Sequence, residues 1–104
     1  MDYAEVIEKF HLMWDSFPGL ARLITSKHVV LASNRSAEDS GFTEGCICAK
    51  VGAPETHRGC RMAEMFRSGE AQIQRFSPEK IKGWNPVAGY PELCVHWAVG
   101  VPEE

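Results

Sequence analysis

A strict two-residue alternation near the end of the chain limits the fold more than any other feature of the sequence. Over residues 93–101, apolar side chains alternate with small or polar ones. The apolar positions are Leu93, Val95, Trp97, Val99 and Val101, and the others are Cys94, His96, Ala98 and Gly100. Because successive side chains of a β-strand point to opposite faces, this pattern predicts a strand with one apolar face.

Four further strands are predicted in two groups. Residues 20–25 and 28–32 are short aliphatic and β-branched runs around a two-residue polar turn, which predicts a hairpin. Residues 71–76 and 84–87 precede the last strand, and Pro86 predicts a sheet edge or a bulge in the second of them. Two strands that pair with three later ones give a five-stranded antiparallel sheet.

Helices are predicted before the first hairpin and between the two groups of strands. Residues 2–14 carry apolar side chains at helical spacing, with Asp2 as a potential N-cap, and Pro18 stops this amphipathic helix. A second helix is predicted over about residues 59–68, with Gly69 as a left-handed C-cap. Between them, residues 36–39 allow one short helical turn.

These elements predict one α+β domain over residues 1–104. It comprises an N-terminal helix within residues 1–17 and a core over residues 20–101, in which short helices pack on one face of the sheet. The length of 104 residues, with 44% apolar and 24% charged residues, suits one globular domain.

The order of the elements resembles that of PAS sensor domains. Residues 30–45 are similar to the PAS segment in which the second strand ends in an asparagine, here Asn34, and a short helix and a glycine follow. Residues 59–70 are similar to the PAS helix that leads into the last three strands. The resemblance implies a cavity between sheet and helices, a ligand, cofactor or redox state that is sensed, and a partner that receives the signal.

A closer resemblance is to PAS variants with cysteines at the spacing C-x10-C-x2-C. Cys46, Gly52 and Cys60 match this pattern, and His57 stands at the middle cysteine position. Some PAS sensors bind haem through a histidine of the long helix, and His57 lies just before the corresponding helix here. Haem is therefore one cofactor that the resemblance suggests.

Four soft metal ligands lie within fifteen residues: Cys46, Cys48, His57 and Cys60. Cys3His is an established ligand set for structural zinc, so a zinc site is one interpretation of this segment. A second interpretation is a redox-sensing thiol, since Cys60 lies near a predicted helix N-terminus and between two arginines. In a third, the cysteines are only small buried hydrophobic residues.

Composition narrows the partners and the location. A net charge of −3 without a basic stripe argues against nucleic acid. The charged N-terminal segment and the absence of a long apolar run argue against a signal peptide and a membrane span, which predicts a cytoplasmic protein. In that compartment the thiols stay reduced.

The sequence predicts a non-enzymatic domain that binds a small molecule. No nucleophile with a recognisable base and no phosphate-binding glycine loop is evident. A ligand in the implied cavity would contact core-facing side chains, for which the candidates are Met62, Phe66, Trp84 and Trp97. A homodimer through the N-terminal helix and residues 93–101, or a signalling protein partner, would transmit the signal.

Overall fold

Strands from both ends of the chain form a single sheet. The structure is a computed structural model that describes residues 3–39, Gly45 and residues 60–100. Its elements, in chain order, are α1 (Ala4–Trp14), β1 (Leu20–Thr25), β2 (Val30–Ser33), α2 (Arg35–Asp39), α3 (Met62–Ser68), β3 (Gln72–Ser77), β4 (Lys80–Val87) and β5 (Tyr90–Val99). None of the helices in these described ranges has the length and hydrophobicity that a membrane span needs.

The predicted strand near the C-terminus, β5, is the middle strand of the sheet. The strand order is β2-β1-β5-β4-β3, and every neighbouring pair is antiparallel. β1 pairs with β5 over its whole length, from Leu20 opposite Ala98 to Thr25 opposite Leu93. The predicted α+β class and the five-stranded antiparallel sheet are therefore confirmed.

Helices pack on both faces of this sheet. On one face, which we call the α1 face, the buried cluster comprises Val6, Phe10, Ala21, Leu23, Ala32, Leu93 and Val95. On the other, the α3 face, the buried cluster comprises Ile24, Val30, Met62, Met65, Trp84 and Cys94. Neighbours in sequence, such as Leu23 and Ile24, belong to opposite clusters because strand side chains alternate. The short helix α3 and the longer α1 thus lie on different faces.

The hairpin of β3 and β4 is tighter than the sequence suggests. The sequence predicts no strand between residues 76 and 84, yet β4 already begins at Lys80, since Lys80, Ile81 and Lys82 pair with β3 residues. Pairing outweighs the weak strand preference of the two lysines. At Pro86 the β4–β5 register shifts, as the sequence predicts for a bulge, and β3 does not extend this far along β4.

Helix α1 begins at Ala4, two residues after the predicted start at residue 2, with Tyr3 in the N-cap position. The expected cap, Asp2, lies outside the described residues. The Tyr3 hydroxyl donates a 2.7 Å hydrogen bond to Oε2 of Glu92, just inside β5. This bond raises the pKa of Tyr3, because ionisation of the phenol would remove its donor. Met13, expected in the packed stripe, is 70% exposed.

Helix α3 ends where the sequence predicts and starts later. Its C-cap is Gly69 in the left-handed conformation, with φ of 74°, and the Gly69 N–H donates to the carbonyl of Met65. This confirms the predicted glycine cap. The helix starts at Met62 rather than at residue 59, and its N-cap, Arg61, extends its side chain to Gln72 and Gln74 of β3.

Asn34 joins three elements through its buried side chain. Its carboxamide oxygen accepts hydrogen bonds from the backbone N–H groups of Ala21 and Ala37, at 3.2 and 3.1 Å. Its amide nitrogen donates to the carbonyls of Trp14 and Gly19, at 3.2 and 3.0 Å. The side chain, 1% exposed, therefore caps α2 and holds the α1–β1 turn against the end of β2.

Replacement of Asn34 by alanine should destabilise the domain by about 3 kcal/mol, because it removes the cap of α2 and leaves buried backbone groups without partners. Thermal unfolding should then shift downward by about 15 °C. N34D keeps the capping oxygens but cannot donate to the two carbonyls, so it should also be clearly unstable. S36A, an exposed position of α2, is the control and should stay within about 0.5 kcal/mol of the wild type. Wild-type stability of N34D would show that capping alone matters.

Candidate functional site

Five residues that face one another on adjacent strands form a row across the α3 face. Arg22 pairs with Ser33 on one side and with His96 on the other. His96 pairs with Trp84, and Trp84 with Gln72. We call these five residues the polar row. Because paired residues on neighbouring strands share a face, the row lies on the side of the sheet to which Trp84 contributes.

Four of the five side chains in the polar row are buried, three of them polar. Arg22 is 3% exposed and His96 is 6% exposed, while Ser33 is also buried and Gln72 is half-buried. A guanidinium keeps its charge at every physiological pH, so Arg22 places a positive charge inside the domain. Charged residues are seldom buried to this extent in small domains. This row is therefore the most unusual chemical feature of the described residues.

His96 is held in a fixed orientation within the row. Its ring stacks on the indole of Trp84, with centroids 4.7 Å apart and an angle of 15° between the planes. Its Nδ1 lies 2.9 Å from the carbonyl oxygen of Gly83. Since a carbonyl oxygen can only accept, Nδ1 carries a proton and donates a hydrogen bond to this carbonyl.

Among the described residues, none accepts a hydrogen bond from the indole N–H of Trp84. Trp84 is fully buried, and its Nε1 has no hydrogen-bond partner within the part of the chain that the structure describes. A buried N–H without an acceptor costs about 1–3 kcal/mol, and native proteins contain few such groups. The Trp84 N–H is therefore a candidate contact for a bound molecule.

Three of the four predicted ligand-binding residues lie together on the α3 face. Met62 and Trp84 belong to the same buried cluster, and Phe66 is half-buried against that cluster. Met65, which the sequence analysis did not select, belongs to it as well. These side chains give the α3 face an apolar region beside the polar row.

Trp97, the fourth predicted ligand-binding residue, lies on the α1 face. Its ring packs against Phe17, with centroids 6.1 Å apart, and its Nε1 donates to Oδ1 of Asn85 at 3.3 Å. It also covers Gly83, where an added Cβ would overlap the indole. The sheet thus separates Trp97 from Met62, Phe66 and Trp84. The alternation of β5 explains this, because Trp97 shares a face with Val95 and not with His96.

The proposed metal ligands lie mostly outside the described residues. The structure does not describe Cys46, Cys48 or His57, so the zinc, haem and redox interpretations stay predictions. Cys60 is exposed immediately before α3, whereas Cys94 is buried on the α3 face. Among the described residues, no three His, Cys, Asp or Glu side chains are grouped as a metal would require.

Two ionic groups of α3, Glu64 and Arg67, pair with each other at the surface. Arg67 bonds to the carboxylate of Glu64 one turn earlier, which holds the pKa of Glu64 below its ordinary value and raises that of Arg67. The Arg67 side chain is 72% exposed, so solvent screens this pair.

Arg22 and Ser33 were not among the predicted site residues. One signal for Arg22 was available: it interrupts the run Leu20, Ala21, Leu23 and Ile24, where an apolar residue is expected. Ser33 gave no comparable signal, because serine is common at strand ends. Its position in the row follows only from its pairing with Arg22.

The two cysteines that the structure describes should differ strongly in reactivity. Cys60 should react with iodoacetamide readily, and Cys94 should react at least about a hundredfold more slowly, because it becomes accessible only when the domain opens. Mass mapping of the modified peptides measures both rates. One equivalent of zinc added beforehand should protect Cys60 and not Cys94 if the predicted zinc site exists, and unchanged labelling of Cys60 would argue against that site.

Comparison with known proteins assigns no family to the chain. No protein-family model matches the sequence, and no curated protein is significantly similar to it. The resemblance to PAS domains therefore depends on the order of the elements and on the residues quoted for it.

Proposed function

We propose that this chain is a sensory domain of the PAS type that binds a small molecule on the α3 face. It carries out no reaction of its own and passes the bound state to a partner protein or a second copy of the chain. The cellular location that we propose is the cytoplasm.

One observation carries this proposal: the buried polar row at the centre of the α3 face. A face with a purely structural role would be filled by apolar side chains, as the α1 face is with Leu23, Leu93 and Val95. Burying Arg22 and His96 costs solvation free energy that apolar residues would not lose. Binding sites are apolar surfaces with a few convergent polar groups, which is the combination found here.

The order of the elements supports the PAS type. In the resemblance, an asparagine ends the second strand and a short helix follows, and here Asn34 follows β2 and caps α2. The helix α3 then leads into the last three strands, again as the resemblance implies. In PAS domains the ligand lies between the sheet and these helices, which corresponds to the α3 face.

A route for the signal runs through the thickness of the sheet. Cys94 and His96 face α3, whereas their neighbour Val95 belongs to the cluster that contacts α1. A ligand that shifts β5 would therefore also shift the surface on which α1 packs.

The outer side of α1 is the surface that a partner could contact. Its side chains Leu12 and Met13 are 84% and 70% exposed. The homodimer through α1 stays a prediction, and β5 is paired on both edges, so it offers a partner no free edge.

Protein purified without added ligand should carry a small molecule, or should bind one from a library of metabolites. Native mass spectrometry would show the excess mass, and thermal shift would show stabilisation of about 3 kcal/mol when the ligand is at a hundred times its Kd. F66A, on α3 beside the cluster, should weaken binding about tenfold through lost contacts.

The matched control is L12A, which removes an exposed apolar side chain from α1 on the opposite side of the molecule. It should leave binding unchanged. The proposal fails if the purified chain carries nothing and no library member shifts its unfolding temperature.

A further inference from the structure

Strand β3 forms one edge of the sheet, and its outer side is open for pairing. Its inner side pairs with β4 in a regular register from Gln72 to Arg75, and within the described residues no strand lies on its outer side. At the opposite edge, the carbonyl of Val30 in β2 accepts a hydrogen bond from the N–H of Gly45. An open strand edge presents backbone N–H and C=O groups that can pair with a strand of another chain.

The side chains of β3 do little to block this edge. Lysine and proline, which commonly protect edge strands, are absent from the strand. Its charged residue, Arg75, donates to the carbonyl of Pro78 at 3.0 Å in the turn of its own hairpin. Arg61 donates to the side-chain oxygens of Gln72 and Gln74, at 3.3 and 3.0 Å. These hydrogen bonds order both glutamines before binding, which lowers the entropy that association costs.

Ile73 is an exposed apolar residue on the same edge, with 65% of its surface in solvent. It pairs with Gly83, and Gly83 pairs with Trp97, so these three residues lie on the α1 face. The half-buried ring of Trp97 covers Gly83. Ile73 therefore extends an apolar row to the edge of the sheet. The buried cluster of this face is formed by α1, β1, β2 and β5, so Ile73 lies outside it.

We infer that β3 is a dimer interface, at which two copies of the chain pair their β3 strands antiparallel with Ile73 opposite Ile73 of the second copy. Each sheet then continues into the sheet of the other copy. This inference goes beyond the proposed function, because it names the surface that joins two copies and requires no ligand on the α3 face.

Two-fold symmetry and side-chain chemistry select this register. Identical antiparallel strands are related by a two-fold axis, and residues opposite each other share a face, so the axis passes beside one residue of β3. An axis beside Gln74 would put Ile73 opposite Arg75. An axis beside Gln72 would put Ile73 opposite the small Ala71. An axis beside Ile73 pairs two equal apolar side chains on the α1 face, and on the α3 face it pairs Gln72 with Gln74.

The same register keeps like charges apart. Arg75 comes opposite Ala71 of the second copy, next to Glu70 of that copy. Both charged residues are exposed in the single chain. Opposite charges on neighbouring strands favour pairing, whereas like charges that face each other oppose it. The strand is therefore complementary to itself in charge as well as in apolar surface.

Sedimentation equilibrium of the full chain tests this interface. The wild type should dimerise with a Kd of about 1–100 μM, because one strand edge buries less surface than a standard protein interface. I73K should raise the Kd at least about tenfold, since two lysines would then face each other at the axis. The matched control is I73V, which keeps a β-branched apolar side chain and should change the Kd less than about threefold.

Mixed variants test the register. I73K and I73D should each associate weakly, whereas their equimolar mixture should associate at least about fivefold more tightly than either alone, because lysine then faces aspartate. Ile73 is largely exposed, so the unfolding temperatures of these variants should stay close to that of the wild type. Thermal unfolding verifies that each variant is folded before its association is compared.

Three results would overturn the inference. The first is a wild type that stays monomeric at about 1 mM, which is above the expected range of Kd. The second is a dimer that I73K leaves intact and L12K, on the exposed side of α1, disrupts. The third is a mixture of I73K and I73D that associates no better than the single variants. None of these measurements involves a ligand, so the screen for a bound molecule tests the proposed function separately.

Discussion

The hydrogen bonds of Asn34 fix the geometry on which the rest of the domain depends. One side chain accepts from Ala21 and Ala37 and donates to Trp14 and Gly19, so the first helix, the first two strands and α2 meet at a single buried point. The backbone takes part as well, since the N–H of Asn34 donates to the carbonyl of Ala21. Only a carboxamide side chain can both donate twice and accept twice, so aspartate cannot replace Asn34 as a donor. Glutamine has the same group, but its side chain is one methylene longer.

This junction holds β1 against β2 and α1, and β1 pairs along its other edge with β5 from the later part of the chain. The register that results aligns Ser33, Arg22, His96 and Trp84 across four strands. A shift of one residue in β1 would turn Arg22 to the α1 face and Leu23 to the α3 face. The chemistry of the α3 face therefore follows from strand pairing, which the hydrogen bonds between Asn34 and Ala21 support next to Ser33 and Arg22.

Much of this fold can be predicted from the sequence, and the limits have physical causes. Alternation predicts β5, and residues 20–25 match β1 in both bounds, because these signals are local. Gly69 is found as a cap for the same reason. Which faces two distant strands share depends on their pairing, which is not a local signal. Trp97 and Trp84 were therefore predicted to line the same cavity, although they lie on opposite faces of the sheet. Arg22 was overlooked because nothing in its own neighbourhood shows that Ser33 and His96 lie on either side of it.

The central claim is that the α3 face binds a small molecule beside Trp84. The most direct test is a high-resolution crystal structure of the chain purified from cells without added ligand. The account predicts density for a small molecule on the α3 face beside the polar row. An α3 face that is filled by protein side chains alone would contradict it.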